Sequence, residues 1–179
     1  MTVRGEWTAK TVAVIGAAIL TSGCGGMTDN PYNFGDDEIA AAAESLSVRP
    51  SLAATERQVT DAVVRIGAAA AAIAPGTHWR WHRERSLGGG CPGPYAYTDG
   101  LSVTTQAWLS DIPIGDAEWP AVLAAAREIA ADAGMSRLHV HVDRPGHHDV
   151  TLSSDDGNRI TFGTSEAASI RGITGCRRS

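Results

Sequence analysis

A chain of 179 residues with a formal charge of −5 suits one domain plus a tail, and with only 6% aromatic residues it lacks the basic, ring-studded stripe of a nucleic-acid binder. Lys10 is the sole lysine, so neither a P-loop nor a Schiff-base nucleophile can form downstream of it. No cofactor is expected.

Residues 1–23 read as a signal peptide. Arg4 and Lys10 form a basic leader, Val12 to Leu20 an apolar run, and Gly23 a small residue at the cut site before Cys24. As a helix the run covers roughly 15 Å, about half a hydrocarbon core, too short to stay as a span. Leu20-Thr21-Ser22-Gly23-Cys24 resembles a bacterial lipobox, with Thr21 where that pattern prefers an aliphatic residue. Cys24 is thus the expected lipidation site and mature N-terminus, placing the protein on the extracytoplasmic side of the cell membrane with the membrane itself as first partner. Residues 24–36, rich in Gly, Asn, Asp and Pro, read as a flexible tether.

A single domain is expected over 37–179. Asp36 or Asp37 caps a short helix at 38–47, and Pro50 stops it. Leu52, Val59, Val63, Ile66, Ala70 and Ile73 recur at three- and four-residue steps and predict one buried stripe on a long helix ended by Pro75-Gly76. "THWRWHRERS" at 77–86 alternates like a strand, and "LGGGCPGP" at 87–94 reads as a loop. A second strand falls within 101–110, and a helix over 117–133 follows with Asp116 as its cap and Gly134 as its stop. Strands at 137–143, 148–153 and 158–164 are joined by Pro-Gly and Asp-Gly turns, and a last one lies near 168–173. The expected fold is α+β: an antiparallel sheet of about five to six strands with two main helices packed on one face.

Two cysteines remain after Cys24. In an exported, oxidising setting Cys91 and Cys176 are expected to pair as a disulfide; the rival reading, Cys91 as a nucleophile, has no flanking base. With Leu138, Val140 and Val142 turned to the core, His139, His141 and Asp143 share the other face, and His147 and His148 follow the turn. Such a set has the donor chemistry of a zinc site, while a solvated sheet face is the plainer reading. His78 and His82 join it only if their strand lies alongside. Trp79, Trp81, Trp108 and Trp119 read as core. Gly163-Thr164-Ser165-Glu166-Ala167 lacks the closing glycine of a nucleophile elbow.

The lipobox at Cys24, the "HWRW" strand, the "GGGCPGPYAYTDG" loop and the closing "GITGC" together resemble the mycobacterial cell-envelope lipoproteins of the LppA, LppB and LppV family. That likeness implies a lipid-anchored, disulfide-compatible domain and no catalytic mechanism. The expected function is a non-catalytic surface lipoprotein presenting its domain to envelope or host partners, without nucleic acid. The alternative is a binding module taking a metal at the histidines or a small apolar ligand between sheet and helices.

Overall fold

The computed structural model describes residues 33–88 and 90–179. The signal peptide, Cys24 and the tether up to residue 32 lie outside the described residues. Helix α1 spans Asp36–Ser47. Its cap is Gly35, whose amide donates to the Glu38 carboxylate at 2.9 Å; Asp36 and Asp37, expected as caps, sit inside the first turn, where they face the positive end of the helix dipole. Helix α2 spans Leu52–Ile73, with the Ser51 hydroxyl accepting from the Ala54 amide at 3.3 Å. Its expected stripe is buried at Leu52, Val59, Val63, Ile66 and Ala70.

The strands are β1 (Trp79–His82), β2 (Ser86–Leu87), β3 (Val103–Ser110), β4 (Arg137–Arg144), β5 (His147–Ser153), β6 (Arg159–Thr164) and β7 (Ala168–Ile173). Helix α3 spans Trp119–Asp132, between β3 and β4. The sheet is antiparallel, in the order β1-β3-β7-β6-β5-β4, with β2 paired to the start of β3. The strand expected over 77–86 is split because Arg83 adopts φ +61°, a left-handed conformation that breaks the ladder. Pairing resumes at Ser86 and Leu87, so seven strands replace the expected five or six.

Both main helices lie on one face: α2 over β3, β6 and β7, and α3 against α2 and β5. Phe162, Ile160, Ile170, Val150 and Leu152 from the sheet meet Val59, Val63, Ile66, Val122 and Ala126 from the helices. Two glycines set the spacing. A Cβ on Gly172 would come 2.3 Å from Val59 Cγ1, and one on Gly67 would come 2.2 Å from Trp108 Nε1. Helix and sheet thus close on each other there without room for a methyl group, and at these points the space for an apolar ligand is filled. Of the four tryptophans expected in the core, Trp119 is buried, Trp79 and Trp108 are half-buried, and Trp81 is 40% exposed, because β1 is an edge strand.

The C-terminus is sewn in. Cys91 and Cys176 form a disulfide across 85 residues, packed on Leu46 of α1 and Tyr95 of the 3₁₀ turn Gly93–Tyr97. Next to it Arg177 is 1% exposed. Its Nε donates to Thr55 Oγ1 at 3.1 Å, its Nη1 to the Cys176 carbonyl at 2.8 Å and the Asp156 carbonyl at 3.2 Å, and its Nη2 to Asn158 Oδ1 at 3.1 Å and to the Asp156 carboxylate. Burial pulls its affinity for the proton below that of an ordinary guanidinium, and Asp156 pulls it back up.

Replacing both Cys91 and Cys176 by Ala releases an 85-residue separation in the unfolded chain and is expected to cost about 2–5 kcal/mol in denaturant unfolding. Arg177→Leu strands the acceptors of Asp156 and Asn158. Loss of a fully buried pair costs about 3–5 kcal/mol, and the access of Asp156 to water brings the expectation here to about 2–4 kcal/mol by the same measurement.

Candidate functional site

The histidine-rich hairpin of β4 and β5 is where the sequence concentrates reactive side chains, and the structure divides it between the two faces of the sheet. The cause is a bulge in β4: Val140 pairs with Val150, but the next partners are Val142 and Asp149, so His141 is the extra residue. Beyond the bulge the alternation is inverted. Asp143 pairs with His148 and lies on the helix-covered face, while Val142 shares the open face with Asp149. The expected grouping of His139, His141 and Asp143 on one face, with Val142 inward, is therefore corrected. Val140 on this edge strand is 46% exposed rather than core.

His148 is buried and stacks on Trp119, ring centroids 4.8 Å apart and 10° from parallel. Its Nδ1 lies 2.7 Å from Asp143 Oδ1 and its Nε2 lies 3.0 Å from Asp116 Oδ1. Asp116 also accepts the Gly146 amide at 2.8 Å. That amide first, and the His148 imidazole second, hold the Asp116 carboxyl below its ordinary range. Asp116 is not the helix cap expected of it; α3 starts from Glu118 with no side-chain cap. The same residue type serves both purposes, so nothing in the local sequence distinguishes them. With each ring nitrogen facing a carboxylate, His148 has no lone pair directed at a metal or a substrate.

The other candidates lie on the open face. His139 and His141 meet edge to face at 4.5 Å, His141 Nε2 lies 2.8 Å from Thr151 Oγ1, and His147 Nδ1 lies 3.3 Å from the Arg144 guanidinium. His139, His141, Asp143, His147 and His148 therefore do not converge on one point, and among the described residues no three His, Cys, Asp or Glu side chains are arranged to share an ion. His78 and His82 belong with β1, at the opposite edge of the sheet.

What the open face does form is a cleft of about 540 Å³, lined by His141, Asp149, Thr151, Thr161, Gly163 and Ser169 among others. Its floor is Gly163, where a Cβ would lie 2.9 Å from the His148 carbonyl and 3.5 Å from Asp149 Oδ1. Register places Asp149, Gly163 and Ser169 in one row across β5, β6 and β7, and Thr151, Thr161 and Arg171 in the next. Sequence reasoning passed over Asp149, Thr161 and Ser169. The available signal was Gly163 itself, since a glycine inside a strand marks close approach.

Asp116 also makes a pH prediction. A depressed carboxyl pKa stabilises the fold above its ordinary value near 3.8 and loses that effect as pH falls through the lowered value. Asp116→Asn is expected to melt below the parent at about pH 7, with the gap closing as both are titrated down through 3.8 and the lowered value beneath it; thermal melts from neutral to acid pH check it.

No helix of the described residues is long and apolar enough to cross a membrane. No curated protein sequence matches the chain. The fold is similar to the crystal structure of a protein described as lipoprotein LppA from Mycobacterium tuberculosis, with TM-score 0.65 and 14% identity over 79% of this chain and 85% of that one. It is also similar to that of a DUF4853 family protein from Actinomyces odontolyticus, with TM-score 0.55 and 16% identity over 75% and 72%. These two likenesses support the α+β fold. The family described as "LppA: Lipoprotein confined to pathogenic Mycobacterium" matches residues 28–179, nearly all of the chain beyond Cys24, and the chain belongs to this lipoprotein family.

Proposed function

We propose that this protein is a surface lipoprotein, held by a diacylglycerol thioether on Cys24 to the outer side of the cell membrane, that displays its domain to envelope or host partners without catalysing a reaction. The observation that carries this reading is the sheet itself. Helices cover one face, and the other presents its polar side chains outward. A matched lipoprotein family supports the anchor, and two acyl chains give stable attachment where one is marginal. Two chemical rivals are occupied: the Cys91 thiol is in a disulfide, and the His148 imidazole is engaged at both nitrogens.

Cys24→Ser tests the anchor. Expressed in the native host, the variant is expected to leave the membrane pellet for the soluble or secreted fraction, with the parent staying in the pellet. A variant that remains with the membrane, or a parent whose intact mass still includes residues 1–23, overturns the reading.

A further inference from the structure

The cleft over Gly163 has the size of a ligand site and the wrong lining for an apolar one. Small-molecule pockets commonly enclose about 300–1,000 Å³ and are mostly hydrophobic. This one, at about 540 Å³, is lined mainly by hydroxyl, imidazole and carboxylate groups. Three observations narrow its chemistry. The Asp149 carboxylate has neither an ion pair nor a hydrogen bond among the described residues, although it folds back over the glycine floor. Thr161 and Ser169 stand on neighbouring strands at the same cleft, and Thr151 is turned by its contact with His141. In the Thr151–Thr161 row, Arg171 holds its Nε out of solvent with no hydrogen-bond partner.

Charge decides among polar ligands. An anion entering the cleft meets the unpaired Asp149 carboxylate, while a cation meets the guanidiniums of Arg144, beside His147, and of Arg171, in the adjoining row. A neutral molecule carrying adjacent hydroxyls meets neither penalty: a carboxylate accepts from two vicinal hydroxyls, and threonine and serine hydroxyls both donate and accept. We infer that the open sheet face carries a saccharide site, in which Asp149, Thr161 and Ser169 bind the hydroxyls of a neutral oligosaccharide laid across β5, β6 and β7. This inference deepens the display function by naming the class of partner, and it rests on that reading only for the face being turned outward.

The full chain, purified in detergent, is applied to an array of neutral di- to tetrasaccharides of glucose, galactose and mannose, together with their phosphorylated and sulfated counterparts. Saturable binding to at least one neutral oligosaccharide is expected. Asp149→Asn and Thr161→Val, each close to its parent in shape, are expected to weaken binding at least about tenfold while keeping the parental circular dichroism spectrum. Arg127→Ala on α3 is expected to bind like the parent. Absence of neutral-glycan binding, binding confined to the charged glycans, or affinity unchanged in both Asp149→Asn and Thr161→Val overturns the inference. Cys24→Ser protein is expected to bind the same oligosaccharide as the parent, so a failed anchor and a failed saccharide site give different results.

Discussion

The guanidinium of Arg177 is the contact on which the rest of this fold closes. It lies in the interior two residues before Ser179 and bonds α2 through Thr55 and the β5–β6 turn through Asp156 and Asn158, with its own backbone paired to Leu101. A cation in such a place is tolerated only when its donors are met, and here a carboxylate, an amide oxygen, a hydroxyl and two carbonyls meet them. The adjacent disulfide keeps the residue in position. The two devices together bring α1, the 3₁₀ turn and the C-terminus to one end of the molecule, leaving the β4–β5 hairpin free to form the other.

That hairpin shows how a local irregularity can change chemistry. Without the bulge, Asp143 would stand beside His139 and His141 on the open face, a plausible metal-binding trio. With it, Asp143 turns under the sheet and joins Asp116 around His148, and of the histidines left outside only His141 meets a hydroxyl, that of Thr151. One residue of register separates the two outcomes.

Much of the architecture was legible because it is periodic or punctuated. The α2 stripe, the two glycine turns among the last strands and the pairing of Cys91 with Cys176 all follow from residues a few positions apart or from simple parity. The departures have different causes. A bulge leaves no mark in an alternating run such as "RLHVHVD", and a left-handed arginine at position 83 carries no compositional signal. Asp116 is equally good as a cap and as an imidazole partner, and Arg177, in a polar tail of "CRRS", reads as solvent-exposed until a tertiary pocket is seen. The open-face cleft was illegible because its row of Asp149, Gly163 and Ser169 comes from three strands and exists only after pairing.

The place of β7 has a consequence for how the molecule is made. It is the last strand in the chain yet lies between β3 and β6, so it joins the early edge of the sheet to the late one. A polypeptide emerging N-terminus first, from a ribosome or through a narrow pore, holds two separate fragments of sheet with no ladder between them until residues 168–173 are released. Completion of the native sheet therefore waits for nearly the whole chain.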